Sequence, residues 1–159
     1  MLRMTTVPNA DAAKQYFTKN LVRDDYYIDG QEIVGSRGGK TAEILGLSDK
    51  VDQQSYFDLC DNIHPLTGEK LTQRQKHNRR AGYDFTFSAP KSVSVLYEVT
   101  ADDNILTAFR EAIKETMDDI EAEMKTRVRV NGKDEDRVTV NMIWDEFIHF
   151  TARPKDGVP

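Results

Sequence analysis

The sequence predicts an α+β domain, an antiparallel sheet with helices packed on one face, and three features carry that expectation. The first is a strand running straight into a helix at residues 82–94, GYDFTFSAPKSVS. The second is a long amphipathic helix ending near Met124. The third is Asn131-Gly132, the strongest short hairpin signal, set between the apolar pairs of Val128 and Val130 and of Val138 and Val140.

Taken in order, residues 2–7 read as a first strand that Pro8 breaks. Asn9 then caps a helix through Ala10, Ala12, Ala13, Tyr16 and Phe17 that ends near Asn20. Residues 23–30 form a polar turn holding Tyr26 and Tyr27, and Ile33-Val34 precede a glycine-rich stretch at 35–39 that reads as a loop. Residues 41–45 fit a short helix closed by Gly46, and Asp52 fits the cap of another through Phe57 to Cys60. His64-Pro65 and Thr67-Gly68 mark a loop.

In the central motif Tyr83, Phe85 and Phe87 alternate with Asp84, Thr86 and Ser88, so the strand is expected to bury three rings and turn a carboxylate to its other face. Ser88 is the expected cap and Pro90 the expected first-turn residue of the next helix, whose free N–H groups, with Lys91 and Ser92, suit a phosphate oxygen. Thr100-Ala101-Asp102-Asp103 has the form of a capping box ahead of the long helix. There Leu106, Phe109, Ile113, Met117, Ile120 and Met124 fall at spacings of three or four and make one core stripe. The hairpin loop is expected to exceed two residues because charged residues intervene, and its second arm to continue through Ile143, Trp144, Phe147 and Ile148 to His149.

The chain has 159 residues, enough for one core without staples, and a single cysteine, Cys60, which excludes an internal disulfide and fits a reducing cytosol. No apolar run approaches the roughly 20 residues needed to cross a bilayer, and residues 1–14 lack a signal peptide's hydrophobic block, so a cytoplasmic location is expected. The net charge of −5 opposes a polyanion, but its distribution does not. Residues 102–125 hold eight acids and three bases and so carry all of it; the acids there are expected on a solvated helix face. Lys70, Arg74, Lys76, Arg79 and Arg80 cluster in an acid-free run leading to Asp84, where a DNA backbone fits as well as solvent does.

GSRGGKT at 35–41 imitates a nucleotide-binding loop, but the pattern's first glycine would fall on Val34, and no long buried parallel strand precedes it. Arg37 and Lys40 read instead as phosphate contacts. Tyr16, Tyr26 and Tyr27 bring phenols near one another across a short polar segment; from the residues alone, Tyr16 beside Phe17 fits packing better than chemistry.

The strand-helix motif, Tyr16, Tyr26-Tyr27 and Phe147-Ile148-His149 resemble, in order and spacing, the N-terminal domain of conjugative relaxases of the TrwC/TraI type, MobF members of the HUH tyrosine endonucleases. The resemblance implies a palm-like sheet and site- and strand-specific nicking of single-stranded DNA with a hairpin at a transfer origin. Tyr16 would make the first cut, leaving a 5′-phosphotyrosyl adduct and a free 3′-hydroxyl, and Tyr26 or Tyr27 would serve a second transfer. Asp84 would accept the phenolic proton or orient a metal-binding histidine, and His149 would be the first of three imidazole ligands to a divalent cation, Mg or Mn. Phe17 departs from relatives that carry a second tyrosine there. The family's His-x-His lies about ten residues past the first histidine, and only ten residues follow His149. The expectation is therefore the N-terminal part of a single relaxase domain over residues 1–159, its sheet incomplete at the C-terminus. With two metal histidines missing, it would bind the ion weakly or not at all, and a non-catalytic DNA-binding module is the alternative. Accessory relaxosome proteins and a type IV secretion coupling protein are the implied partners.

Overall fold

A computed structural model describes residues 1–18, 35–73 and 79–148. Along the chain run β1 (Leu2–Val7), α1 (Ala10–Tyr16), β2 (Gly35–Gly38), α2 (Lys40–Ile44), β3 (Lys50–Val51), α3 (Gln53–Cys60), β4 (Gly82–Phe87), α4 (Lys91–Thr100), α5 (Asp103–Ala122), β5 (Lys125–Val130), β6 (Lys133–Val138) and β7 (Trp144–Glu146). The class is the expected α+β, with antiparallel strands divided among three small sheets, β1–β4, β3–β2–β7 and β5–β6. The elements gather into two compact units.

The first unit holds Met1–Thr5, Gly39–Thr41 and Tyr83–Met142. β1 and β4 run antiparallel: the Met1 amine donates to the Ser88 carbonyl at 2.6 Å and the Ser88 N–H to the Met1 carbonyl at 2.9 Å. Ser88 is thus engaged by the strand and does not cap α4. Pro90 takes the cap position, with no side-chain bond, and the helix starts one residue later than expected. Phe85 and Phe87 are half-buried, but Tyr83 is 45 % exposed, because a two-stranded ladder covers the start of β4 poorly.

Thr100 ends α4, its hydroxyl donating to the Leu96 carbonyl, so the expected capping box is absent and Asp102 alone caps α5, accepting the Asn104 N–H at 3.0 Å. The α5 stripe faces inward along its whole length, as its period requires. Glu121 departs from the solvated face assigned to it. It is 4 % exposed, and its Oε1 accepts the backbone N–H groups of Lys40 at 2.8 Å and Met142 at 2.7 Å. Four residues beyond Met117, it shares the stripe's side of the helix. The same junction fixes Gly39, at φ +93°, where a Cβ would run into the Met142 carbonyl oxygen that Thr41 uses as its acceptor. Gly39→Ala should cost more than about 1 kcal/mol in urea denaturation, since strain and collision coincide.

Asn131 and Gly132 both have positive φ, 50° and 81°, the type I′ geometry, and Val130 pairs directly with Lys133. The loop is therefore two residues, and the charged residues thought to lengthen it form β6. The expected long second arm breaks as well. Val140 sits at φ 53°, a rare conformation for a β-branched residue, and the chain leaves the hairpin there; β7 pairs with β2 instead.

The second unit takes the described residues of Thr6–Gly38, Ala42–Gly82 and Ile143–Pro159. Its caps follow the sequence: Asn9 accepts the Ala12 N–H and Asp52 the Ser55 N–H, each at 2.9 Å, and Gly46 closes α2 at φ 64°. The glycine-rich stretch is not a loop but the central strand β2, with Gly35 opposite Val51 and Arg37 opposite Asp145. Its glycines make room for rings: a Cβ on Gly35 would lie 2.5 Å from the Phe147 ring, and one on Gly38 would enter the Trp144 indole. Phe17 and Val51 form the centre of the core, with Tyr16, Tyr56, Phe57 and Phe147 packed around them.

Candidate active site

Tyr16 is the last residue of α1, half-buried on the aromatic cluster. The neighbouring Phe17 is inside that cluster, its centroid 5.0 Å from Tyr56, 5.8 Å from Phe57 and 5.8 Å from Phe147. A phenol hydroxyl at position 17 would be buried there, so the phenylalanine leaves one hydroxyl at this point of the helix. Lys14, two residues before Tyr16, pairs with Asp61 at 2.5 Å and lies 5.7 Å above the Phe57 ring, tying α1 to the end of α3.

Under the rings lies a polar group the sequence did not reveal. Arg37 Nε and Nη2 donate to the two Asp145 oxygens at 2.7 and 3.0 Å, and Nη1 donates to Ser55 Oγ at 3.1 Å. The Arg37 side chain is 1 % exposed and that of Asp145 10 %. Burial pushes the Asp145 carboxyl above the ordinary carboxylate value, against the opposing pull of the guanidinium that meets both its oxygens. Burial also pushes the Tyr56 phenol well above its ordinary value, with Cys60 and Asp145 adding to the effect, so Tyr56 stays protonated. Asp52 goes the other way, held below the carboxylate range by the Ser55 N–H it accepts.

Cys60 is half-buried, its thiol pushed up to about 11 by burial. Near pH 8 only about one thiol in a thousand is then ionised. Iodoacetamide should alkylate the folded chain on the order of 100-fold more slowly than the urea-unfolded chain, followed by mass spectrometry.

The remaining expected site residues divide by environment. Asp84 sits half-buried in mid-β4, in the first unit, whereas Tyr16 belongs to the second. Lys91 is exposed as the first residue of α4, and Lys40 is exposed at the start of α2. Arg80 is exposed, but Arg79 is half-buried and donates to the Cys60 carbonyl at 2.7 Å, satisfying the end of α3. Arg37 as a phosphate contact is corrected by its burial and its three bonds: a guanidinium committed to Asp145 and Ser55 does not face DNA. Tyr26, Tyr27, Arg74, Lys76 and His149 lie outside the described residues, as do Ile33-Val34 and the expected helix end near Asn20. Among the described residues no three histidine, cysteine or carboxylate side chains come together to hold a metal, and no helix is long and apolar enough to cross a membrane.

The curated Multifunctional conjugation protein TraI of Escherichia coli is 35 % identical over 159 residues, covering 98 % of this chain, and that of strain K12 is 34 % identical over 158 residues. The chain spans 9 % of the length of these relatives. Among solved structures, the metal-bound conjugative relaxase TrwC in complex with oriT DNA matches with a TM-score of 0.73 at 29 % identity, covering 94 % of this chain and 50 % of that one. TrwC complexed with a 27-mer DNA comprising the recognition hairpin and the cleavage site matches with a TM-score of 0.74 at 29 % identity, covering 96 % of this chain and 50 % of that one. The TrwC relaxase family model matches residues 10–159, from the first turn of α1 through Tyr16 to the last residue, and the chain belongs to the TrwC relaxase family.

Proposed function

We propose that this chain is the N-terminal part of a single relaxase domain that binds single-stranded transfer-origin DNA beside a hairpin and nicks it by transesterification onto Tyr16. The observation that carries the reading is the family match running through Tyr16, a half-exposed phenol on a fixed aromatic bed. In the reaction the Tyr16 oxygen attacks the scissile phosphorus, and its proton passes to a base. The bond from phosphorus to the 3′ oxygen breaks, the leaving oxygen takes up a proton, and the 5′ phosphate stays on the tyrosine. The energy of the broken ester is kept in the new one, so strand rejoining needs no nucleotide cofactor.

A phenol titrates near pH 10 when unperturbed, so proton transfer must be assisted at neutral pH. Asp84 is the proposed acceptor, or the group that orients His149. Tyr26 or Tyr27 takes the second transfer, and Lys40, Lys91, Arg80, Arg74 and Lys76 supply phosphate contacts, with Arg79 reaching DNA only through N–H groups not spent on Cys60. A divalent cation, Mg or Mn, belongs to the same proposal as a Lewis acid with His149 as this chain's ligand; the described residues add no cluster for it. The setting is the bacterial cytoplasm, with accessory relaxosome proteins and a type IV secretion coupling protein as partners.

Residues 1–159 in their natural full-length context, incubated with labelled single-stranded origin DNA and Mg or Mn, should give a protein–DNA adduct that survives denaturing electrophoresis. No adduct, or one that persists in a Tyr16→Phe, Tyr26→Phe, Tyr27→Phe variant, rejects the proposal.

A further inference from the structure

The geometry points to Arg37 and Asp145 as positioning residues for Tyr16, a buried fork that fixes α3, and through it the nucleophile, against the β2–β7 pair; this rests on Tyr16 being the nucleophile. An ion pair this buried is not explained by stability, since apolar residues of similar volume serve a core as well or better. What it supplies is a single geometry. A guanidinium meeting both oxygens of one carboxylate has essentially one arrangement, unlike a packed methyl group or an ammonium.

That arrangement reaches Tyr16 in short steps. Arg37 and Asp145 are register partners on β2 and β7, so the fork reinforces a strand pairing already in place. The third arm, Nη1 to Ser55 Oγ at 3.1 Å, leaves the sheet for the first turn of α3. There Ser55 donates its hydroxyl to the Asp52 carbonyl and its N–H to the Asp52 carboxylate, so the arm holds the capped end of the helix. Tyr56 follows Ser55, and its ring lies 5.0 Å from Phe17 and 6.2 Å from Phe147. Phe17 is the residue after Tyr16, and Phe147 comes two residues after Asp145 and two before His149. A shift of α3 along the sheet would carry Phe17 and hence Tyr16 with it. Transfer to phosphorus needs the attacking oxygen placed to within about an ångström, and a misplacement of that size costs on the order of 100-fold in rate.

The double variant R37M/D145L replaces the fork with apolar volume. It should unfold in urea at or above the native midpoint and bind the origin oligonucleotide within about twofold of native, while single-turnover cleavage falls on the order of 100-fold. Arg37→Lys, which keeps the charge and loses the fork, and Ser55→Ala, which cuts only the arm to α3, should fall between. A folded R37M/D145L that cleaves at the native rate overturns the proposal; if that variant does not fold, native rates in both Arg37→Lys and Ser55→Ala overturn it. A readout free of activity is 3-fluorotyrosine at position 16. Its fluorine resonance should be one sharp line in the native chain and shifted or broadened in the folded variants. An unchanged line in all of them sinks the positioning role even if the native protein forms no adduct, a result that would by itself remove only the nuclease reading.

Discussion

Tyr16→Phe should lower first-strand cleavage by on the order of 10³-fold or more while leaving oligonucleotide affinity within about twofold. The substitution removes one oxygen and keeps the ring on the Phe17–Val51 cluster, so the fold should lose no more than about 1 kcal/mol, the net contribution of a typical hydrogen bond. Single-turnover cleavage of end-labelled DNA, read beside binding and urea denaturation, separates the three quantities. An equal loss of affinity and rate would mean that Tyr16 holds DNA rather than attacks it. Restoring a second hydroxyl with Phe17→Tyr should not double the activity, because position 17 is inside the core and its hydroxyl would be left without water.

Arg37→Ala should be the most destabilising single change in the second unit, at about 3–5 kcal/mol, because it strands the Asp145 carboxylate in a site built for its ion. Domains of this size are stable by about 5–15 kcal/mol, so a large part of the margin is removed. Asp145→Asn should cost less, since a neutral amide still accepts one guanidinium bond. The urea midpoints of the two variants give the order, and equal midpoints near the native value would contradict the burial of the pair. The contrast with R37M/D145L matters here. Removing one partner of a buried pair is costly, whereas replacing both is not, so the stability and the positioning roles of the same residues can be measured apart.

Much of the fold was legible where a local signal has one physical meaning. Asn9, Asp52 and Gly46 cap or close the helices they were expected to, and the α5 stripe is the covered side of its helix, with Met117 buried and the other five residues half-buried. The signals that misled are those whose meaning depends on a distant neighbour. Gly35 and Gly38 look like loop residues, yet they lie in a strand because Phe147 and Trp144, more than a hundred positions later, cover them. Arg37 looks like a phosphate contact because nothing nearby in sequence reveals Asp145 as its cross-strand partner. The charges of β6 suggested a long loop, although Asn131-Gly132 alone was sufficient to close a two-residue turn. Glu121 was the recoverable miss, since its position four residues past Met117 placed it on the buried side.

The site followed the same division. Tyr16 and Asp84 stood out by residue type and by place within a recognisable motif, and the structure gives each a half-buried setting in its own unit. The support beneath Tyr16, with Ser55, Tyr56 and Asp145, carries no motif at all. Its members come from two elements, α3 and β7, and are neighbours only once β7 lies beside β2 and α3 lies against α1.

The proposed function turns on the identity of the atom that attacks. Proteolysis of the trapped covalent complex, followed by mass spectrometry of the nucleotide-bearing peptide, reads it directly. A 5′-phosphate on Tyr16 in the α1 peptide is expected after first-strand cleavage; a first-strand adduct carried by another residue, or one linked through the 3′ end of the DNA, contradicts the proposed function.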